Sequence, residues 1–465
     1  MADIAVQTLD GQAATLAEAA VAEFQGKFKA GVLTAASDGY EQARRVWNGN
    51  IDRRPALIAR CSGVADVIDA VNFAEEHHLL VSVRGGLHNA AGHATNDGGI
   101  VIDLSGMRGT RVDPAARRAT TLPGTVWSEF DRETQAFGLA TTGGTVSNTG
   151  VAGLTLGGGE GWLMGLHGLT VDNLVGTDVV TADGRLLHAS ASENADLFWG
   201  LRGGGGNFGI VTAFEFALHP VGPMVLGGLV IHPLPAARDV LRMYRDFSAN
   251  LPDAAEAYAA MLTAPDGNKV IALILGYNGD LAEGEKVLAP ARSFGSPVAD
   301  IVGPMPYGAR NAMLDDPFAI HGIERYWKSG YASSISDDLI DVLIDGASSF
   351  TSPLSNVVMI NVHGAAGRVP AGDTAFGLRG NQWDINVIAQ WTEGAANDHI
   401  GWCRRVWGAA EPHVSTDAYL NHIAADDSVE KLRASYGPNY DRLVALKRKY
   451  DPTNMFRLNP NINPQ

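Results

Sequence analysis

His88 stands directly after an apolar run and two glycines, in the stretch VSVRGGLHNAAGH at 81–93. Taken alone, a histidine in a loop is most often an ordinary hydrogen-bonded side chain. Its neighbours indicate more, because glycines let backbone N–H groups close on a phosphate without interference from a Cβ atom. Two further glycine-rich stretches, at 141–162 and 200–209, lie in the same half of the chain. The three loops together predict a site for a phosphate-bearing ligand.

The third stretch contains a pattern that resembles a dinucleotide-binding turn. Gly204, Gly206 and Gly209 match G-x-G-x-x-G. That turn requires a strand before it and a helix after it. Here the preceding DLFWGL is typical of a helix and the following IVTAFEF of a strand, so we exclude a Rossmann site. The chain also lacks a G-x-x-x-x-G-K-S/T motif, which argues against an NTPase.

Length and charge limit the classes of function. The chain has 465 residues, 46% of them hydrophobic, which is enough for more than one domain. Its 35 Lys and Arg against 51 Asp and Glu give a formal charge of −16. Such a surface repels phosphate backbones and anionic lipids, so we expect no nucleic-acid and no membrane partner. The sequence also has no apolar run of the length that a bilayer span needs.

The cysteines and the first residues bear on the compartment. Cys61 and Cys403 are too few for a disulfide scaffold and have no metal-ligand spacing, so we expect buried thiols, no metal site and a reducing cytoplasm. The N-terminal stretch begins with an acidic residue and lacks the basic start and apolar run of a signal peptide.

Secondary-structure patterns divide the chain near residue 222. An N-terminal helical region is followed by a β-α-β unit: the strand PALIARC, a helix with Val64, Val67, Ile68 and Val71 at helical spacing, and the strand LLVSVRGG. The strand GGIVIDL and the helix within TLPGTVWSEFDRETQAFG come next. VGTDVVTADGRLLHA is typical of a hairpin with Asp183-Gly184 as a two-residue turn.

Beyond residue 222 the glycine clusters stop, and strands, helices and hairpins alternate. This pattern predicts a sheet covered by helices, which we assign to a second domain at 222–412. The tail at 413–465 is helical and then rich in Asn and Pro, and we expect it to return to the first domain at 1–221. The fold class is therefore predicted to be α+β.

Four ordered segments carry a family resemblance: VSVRGGLHNAAG, TTGGTVSNTGVAGLTLGGGEGWLMGLHGLTVDNLVGTDVVTADG, DLFWGLRGGGGNFGIVT and YDRLVALKRKYDPTNMFRLNPNI. Together they resemble the berberine bridge enzyme-like branch of the vanillyl-alcohol oxidase flavoprotein family. The resemblance implies a two-subdomain FAD-binding domain and a substrate domain with an antiparallel sheet covered by helices. It also implies FAD joined covalently to His88 through the 8α-methyl group of the isoalloxazine. The cofactor-binding residues that it implies are Arg84, Gly85, Gly86, Leu87, His88, Asn89, Gly92, Thr145, Val146, Thr149, Gly150, Gly153, Gly157, Gly161, Ile210, Val211, Asn459 and Asn461.

One departure from the family pattern is informative. Many relatives attach the flavin a second time, through a cysteine at the position of Val146. Valine cannot form that bond, so the flavin is expected to be monocovalent, as in bacterial members of the family. Bicovalent relatives often use an open groove for oligosaccharides, and the single link therefore favours a smaller alcohol or amine as substrate.

The resemblance also implies candidate residues for the chemistry. Flavin oxidation moves a hydride from carbon and needs a base for the proton on oxygen or nitrogen. Tyr419, in the segment DAYLNH, corresponds to a tyrosine that often supplies that base. Gln390 corresponds to a polar active-site position, and His363 is a weaker candidate of the same kind. Simple strand packing explains Gln390 equally well.

Several alternatives stay open at the level of sequence. We expect dioxygen to reoxidise the flavin, but Thr149, at the position that gates oxygen, does not distinguish an oxidase from a dehydrogenase with another electron acceptor. An oligosaccharide oxidase is a further alternative. A flavin- or nucleotide-binding module without turnover is less favoured because a candidate base is present. A monomer and a homodimer are equally compatible with the sequence.

Overall fold

A computed structural model describes residues 3–465 of the chain. Its helices and strands alternate along the whole length, which confirms the α+β fold class. None of the helices in these residues is both long and apolar enough to cross a membrane. The helices are Glu18–Lys27, Tyr40–Ala43, Val64–Glu76, Trp127–Gln135, Val151–Leu156, Met164–His167, Ala195–Leu201, Ala237–Ser248, Leu281–Arg292, Tyr307–Asn311, Asp315–Phe318, Asp337–Ser348, Ala365–Arg368, Ala396–Ala410, Val429–Ser435 and Tyr440–Tyr450.

The predicted β-α-β unit is present and forms most of a four-stranded sheet. Helix Val64–Glu76 buries Val67 and Val71 and connects two strands that run parallel. The third predicted strand lies between the first two, so strand Val81–Arg84 is at the edge of the sheet. The loop at 85–93 that carries His88, here called the histidine-bearing loop, follows this edge strand. In spatial order the strands are Val32–Leu33, Leu57–Arg60, Ile100–Asp103 and Val81–Arg84.

A five-stranded antiparallel sheet includes the strand that follows the third glycine-rich stretch. The third stretch connects helix Ala195–Leu201 to strand Ile210–Ala217, which confirms the order that excluded a Rossmann turn. In spatial order the strands are Leu186–Ser190, Leu174–Val180, Ile210–Ala217, Arg118–Thr121 and Thr110–Asp113.

Two local predictions were wrong. The hairpin does not close with a two-residue turn, because Thr181 N donates to Arg185 O at 2.9 Å and leaves a three-residue loop. Gly184 takes a φ of +73° in that loop, as the extra residue of such loops commonly does. The N-terminal region is not helical from its start: strands Ile4–Gln7 and Ala13–Leu16 form an antiparallel pair before helix Glu18–Lys27.

The eight-stranded antiparallel sheet is built from residues 224–391 and has two different faces. Ala257, Ala259 and Met261 pack under four helices, at Ala237–Ser248, Leu281–Arg292, Asp337–Ser348 and Ala396–Ala410. The alternate residues Tyr258 and Ala260 turn to the opposite face, where they pack with Trp162 and Tyr419. The helix-free face therefore borders the glycine-rich loops.

The strands in order are Ala299–Asp300, Met224–Pro233, Lys269–Tyr277, Ala255–Thr263, Asn356–Val362, Gln382–Trp391 and Glu324–Ala332, and Gly303–Pro306 also pairs with Met224–Pro233. Two short pairs complete the strands, Ile4–Gln7 with Ala13–Leu16 and Leu139–Ala140 with His219–Pro220.

The C-terminal tail contacts the third glycine-rich stretch. Asn207 is fully buried, and its side chain donates to Pro460 O at 3.0 Å and accepts from Ile462 N at 3.1 Å. Lys447 Nζ donates to Asn207 O at 2.8 Å. The boundaries of the three segments at 221/222 and 412/413 stay a prediction from the sequence.

Candidate active site

One large cavity lies between the helix-free face of the eight-stranded sheet and the glycine-rich loops. Because the sheet residues alternate between two faces, those that reach the cavity are Tyr258, Trp327, Val358, Ile360, Asn386 and Ile388. The cavity is continuous from the histidine-bearing loop to the segment around Tyr419. A ligand in it would contact both halves of the chain.

The histidine-bearing loop has the features of an anion-binding turn. Leu87 adopts a φ of +69°, a conformation that non-glycine residues seldom take. The backbone N–H groups of Gly86, Leu87 and His88 have no acceptor within residues 3–465. Free N–H groups on a loop that lines a cavity fit a pyrophosphate. Gly153 has open space where a Cβ atom would lie, and it lines the same cavity. These residues fit a large phosphate-bearing cofactor such as FAD.

His88 is held by two neighbours. Its Nε2 lies 2.7 Å from Asn148 Oδ1, and its ring stacks on Trp47 with the ring centroids 4.5 Å apart. Burial lowers the pKa of His88 to about 3, the hydrogen bond to Asn148 Oδ1 acts in the opposite direction, and the electrostatic influence of His321 and Arg325 lowers it further. The imidazole is therefore neutral at neutral pH and can act as a nucleophile.

Most of the residues predicted to hold the cofactor line the cavity. Val146 is buried against it and carries no nucleophile, and Thr149 is partly exposed on its wall. Those that line it are Gly85, Gly86, Leu87, His88, Asn89, Thr145, Val146, Thr149, Gly150, Gly153, Gly157, Ile210, Val211 and Asn459.

Four predicted cofactor residues lie outside the lining, each for a local reason. The guanidinium of Arg84 donates to Ala43 O and lies 3.5 Å from Asp103. Gly92 turns the chain at φ +75° beside Ile51. The Cα of Gly161 packs so closely on Gly143 that a Cβ would lie 1.8 Å from the Gly143 carbonyl oxygen. Asn461 has a buried Oδ1 but does not reach the cavity.

Tyr419 lines the cavity, with its hydroxyl oxygen inside a ring of donors. The oxygen accepts from Gly159 N at 2.8 Å, Glu160 N at 3.2 Å and Asn421 Nδ2 at 2.7 Å. Burial, followed by the charge of Glu160, raises the pKa of Tyr419 above its ordinary value of 10.0, although the three donors act in the opposite direction. The phenol is therefore protonated at neutral pH.

The structure does not bring Gln390 or His363 to the cavity. Gln390 is on the correct face of its strand but beyond the end of the cavity, where its side chain accepts from Arg325 Nε at 2.7 Å and donates to Leu354 O at 3.1 Å. His363 is buried, with Nε2 at 3.0 Å from Ala255 O. Both side chains serve packing between elements, and neither can contact a molecule in the cavity.

The structure adds a histidine–carboxylate pair that the sequence analysis missed. His422 Nδ1 lies 2.8 Å from Asp384 Oδ2, and the imidazole stacks on Trp327 with centroids 4.5 Å apart. Asn386 Nδ2 donates to the same Asp384 oxygen at 3.0 Å. His422 lines the cavity, so its Nε2 can face a ligand. The sequence contained a signal for this pair, because Asp384 and Asn386 share a strand face and His422 follows Tyr419 by three residues.

Glu160 is a second missed residue on the cavity wall. Tyr331 donates its hydroxyl to Glu160 Oε1 at 2.7 Å, whereas the buried Oε2 has no partner within residues 3–465. Burial, followed by the charge of Asp384, raises the pKa of Glu160 well above its ordinary value. The neutral acid is favoured, and its free end can hydrogen-bond to a ligand.

The remaining wall is apolar and partly aromatic. It contains few hydrogen-bonding groups apart from the cluster around His422. The side chains are Leu314, Phe318, Trp327, Val358, Ile360 and Ile388.

Two family models match the chain. Residues 55–190 match an FAD binding domain, and residues 418–463 match a model described as berberine and berberine like. These ranges contain three of the features that line the cavity: the histidine-bearing loop, the second glycine-rich stretch and the tail.

Characterised relatives agree with these models. The (R)-6-hydroxynicotine oxidase of Paenarthrobacter nicotinovorans is 30% identical over 93% of this chain and 96% of its own. The crystal structure of 6-hydroxy-D-nicotine oxidase from Arthrobacter nicotinovorans superposes with a TM-score of 0.84 at 28% identity, and covers 94% of this chain and 98% of that one. A chitooligosaccharide oxidase shares the fold with a TM-score of 0.84 at 24% identity, over 96% of this chain and all of that one. The similarity extends along almost the whole length of the chain and agrees with its cavity and its glycine-rich loops. The chain therefore belongs to the berberine bridge enzyme-like FAD-linked oxidoreductases.

Proposed function

We propose that this protein is an oxidase that carries one covalently bound FAD, attached through His88, and oxidises a small and largely apolar alcohol or amine. The observation that carries the proposal is the continuity of one cavity from the loop of His88 to the pair of His422 and Asp384. That cavity lets a substrate lie between a hydride acceptor and a proton acceptor.

The residues of the three glycine-rich loops would hold the cofactor. Bound FAD supplies the acceptor for the hydride. The free N–H groups of the loop at 86–88 would bind its pyrophosphate, and the neutral imidazole of His88 would form the covalent link. Val146 has no nucleophile, which supports a single link.

The proton from the substrate would pass to His422. The carboxylate of Asp384 accepts the Nδ1 hydrogen of His422, so Nε2 keeps its lone pair and can accept a proton as a general base. Tyr419, which the family resemblance implied as the base, is a second candidate because three N–H donors would stabilise a phenolate. Its raised pKa makes it the weaker candidate. As a phenol it would instead donate to the oxygen or nitrogen of the substrate.

The character of the wall supports the class of substrate. A sugar chain needs many hydrogen-bond partners, and burying its hydroxyls against Leu314, Val358 and Ile360 would leave them unpaired. A compact molecule with an aromatic or aliphatic ring and one oxidisable C–O or C–N group fits the wall better. The polar cluster at one end would orient that group.

An anaerobic substrate screen tests this proposal. Benzyl alcohol and benzylamine represent the favoured class, and xylobiose and chitobiose represent the oligosaccharide alternative. We expect flavin bleaching with members of the first class and none with the disaccharides. Reoxidation within seconds on admission of air would support dioxygen as the acceptor, and a flavin that stays reduced would assign a dehydrogenase.

A pair of variants checks that the wall binds the substrate. Phe318→Ala removes an apolar side chain from the cavity and should raise KM for any compound found in the screen. Phe137→Ala is the matched control, because Phe137 is 51% exposed on the surface. Equal KM values in both variants would contradict the proposal that the apolar wall binds the substrate.

As part of the same proposal, we place the protein in a reducing compartment of the cell. Cys61 and Cys403 are both buried free thiols, which fits a reducing environment such as the cytoplasm.

A further inference from the structure

Arg325 is a buried cation that forms no ion pair within residues 3–465. Its guanidinium makes four hydrogen bonds, all to neutral acceptors: Gln390 Oε1 at 2.7 Å and the backbone carbonyls of Trp47, Ile323 and Ile320 at 3.1, 3.0 and 2.8 Å. Burial lowers its pKa to about 10, so the group is still charged at neutral pH. A buried charge without an opposite charge is costly to keep, and its surroundings therefore indicate what it serves.

The charge lies next to the ring on which His88 stacks. The guanidinium carbon of Arg325 is 3.7 Å from the ring centroid of Trp47, and the rings of Trp47 and His88 have their centroids 4.5 Å apart. Burial lowers the pKa of both His88 and His321, and the charge of Arg325 lowers both values further. Trp47 lines the cavity, whereas Arg325 does not. Arg325 therefore acts on the cavity through its charge and through Trp47, not by contact.

The other charges near this end of the cavity are compensated or absent. The guanidinium of Arg84 lies 3.5 Å from the carboxylate of Asp103. No Lys or Arg side chain lines the cavity within residues 3–465. The carboxyl group of Glu160 on the wall is favoured in its neutral form, because burial raises its pKa. Arg325 thus supplies an uncompensated positive charge, and the electrostatic potential beside His88 favours negative charge.

We propose that Arg325 is a positioning residue that holds Trp47 against His88 and stabilises the negative charge that the flavin ring gains on reduction. The inference rests on the covalent attachment in the proposed function, which would bring the ring to His88 and so near Trp47. A hydride from the substrate carries two electrons and one proton, and the ring that accepts it gains one negative charge. A nearby cation favours that charge, so Arg325 makes the flavin easier to reduce.

The reduction potential of the purified holoprotein tests the role of the charge. Arg325→Met removes the charge and Arg325→Lys keeps it. Slow reduction by xanthine and xanthine oxidase, beside a dye of known potential, gives the ratio of reduced to oxidised flavin. At a fixed potential we expect this ratio to fall at least tenfold in Arg325→Met, a shift of about 30 mV for two electrons, and to change less than about threefold in Arg325→Lys. Arg45→Met is the control and should keep the wild-type potential, because Arg45 is 53% exposed and paired with Asp52.

A second variant neutralises the charge and keeps the arginine. Gln390→Glu places a carboxylate where the amide oxygen now accepts from Arg325 Nε at 2.7 Å. It should lower the potential as Arg325→Met does, although the guanidinium stays over Trp47. Gln390→Met is the matched control, because it removes the same hydrogen bond without adding a charge, and it should keep the wild-type potential. Circular dichroism reports folding, and Gln390→Glu decides the matter if Arg325→Met does not fold or does not bind flavin.

The possible results separate this inference from the attachment on which it rests. A wild-type potential in folded Gln390→Glu, with the flavin still attached, would overturn the role of the charge and leave the attachment to His88 standing. An equal fall in Arg325→Lys and Arg325→Met would also overturn it, since packing alone would then explain the residue. Release of free FAD from the acid-precipitated wild type would overturn the attachment and this inference together.

Discussion

Gly86 and Gly150 face each other with no room for a side chain on either. A Cβ on Gly86 would lie 2.3 Å from the Cα of Gly150, and a Cβ on Gly150 would lie 2.6 Å from the Cα of Gly86. Both distances are well inside van der Waals contact. The loop that carries His88 and the loop that begins helix Val151–Leu156 therefore meet backbone to backbone, and this contact shapes the side of the cavity that His88 lines.

We expect Gly150→Ala to separate these loops and lower the flavin content of the purified protein. The φ of Gly150 is −70°, so any effect comes from the contact with Gly86 and not from backbone strain. Overpacking of this kind costs about 1–3 kcal/mol. The ratio of flavin to protein absorbance measures the outcome. Gly26→Ala is the control, because a Cβ at Gly26 meets nothing within 4 Å. Full flavin content in Gly150→Ala would show that the contact is dispensable.

The proposed base can be separated from its runner-up by stopped-flow reduction of the flavin under anaerobic conditions. His422→Asn should lower the rate of reduction by about 10²–10⁴, the usual contribution of a general base. Tyr419→Phe keeps the ring packed and removes only the hydroxyl, so its rate should stay within about tenfold of wild type. The reverse result would assign the proton transfer to Tyr419.

Asp384 is expected to act through His422. In Asp384→Asn the new amide can donate to His422 Nδ1, which would place the imidazole hydrogen on Nε2 and block proton transfer. The rate of flavin reduction should then fall nearly as far as in His422→Asn, with flavin content unchanged. A normal rate in a fully loaded Asp384→Asn protein would mean that the pair has no role in catalysis.

Asn207 joins the tail to the third glycine-rich stretch, so Asn207→Ala should loosen the cofactor site. Its side chain donates to Gly204 O at 2.9 Å and makes the two bonds to residues 460 and 462 described above. Loss of several buried hydrogen bonds is expected to cost about 2–4 kcal/mol in the free energy of unfolding and to lower flavin content. Deletion from Arg457 onward should have the same effect on flavin content. Asn463→Ala, in the same tail, serves as control. Denaturant unfolding and flavin absorbance measure the two effects, and wild-type values in Asn207→Ala would contradict them.

Asp131 should make the stability of the protein depend on pH. Burial raises its pKa from 3.8 to about 7, against the hydrogen bond that Asn311 donates at 2.6 Å. Between these two values the unfolded chain has lost this proton and the folded protein has kept it. Stability from this group is therefore full below pH 3.8 and falls as the pH rises to about 7.

Asp131→Asn removes that titration. The variant should be more stable than wild type at pH 8, by at most about 4 kcal/mol at 1.36 kcal/mol per pH unit. The difference should shrink toward zero as the pH approaches 4. Urea midpoints at both pH values measure it, and a constant difference would refute the titration of Asp131.

The sequence predicted the fold well where its patterns were local. The helix at 64–76, the strands on either side of it and the helix-then-strand order around residues 200–209 follow from periodicity and are present. The N-terminal strand pair was missed because its alternating residues also fit a helix over such a short length. The hairpin loop was misjudged by one residue because register depends on the closing hydrogen bond.

The site was predictable only in part. Glycine-rich motifs identified most of the residues on one side of the cavity, since these residues are close in sequence. Gln390 was predicted wrongly as a cavity residue because the alternation of side chains along a strand gives the face that borders the cavity. It does not tell where along the strand the cavity ends. The pair of His422 and Asp384 joins segments 38 residues apart, and only the folded sheet brings them to 2.8 Å.

The central claim, covalent FAD on His88, is tested most directly by acid precipitation of the purified wild type and of His88→Ala, with the absorbance spectrum of pellet and supernatant. The account predicts that flavin stays in the wild-type pellet and that His88→Ala releases all of its FAD into the supernatant. Flavin released by the wild type, or retained in the pellet of His88→Ala, would contradict it.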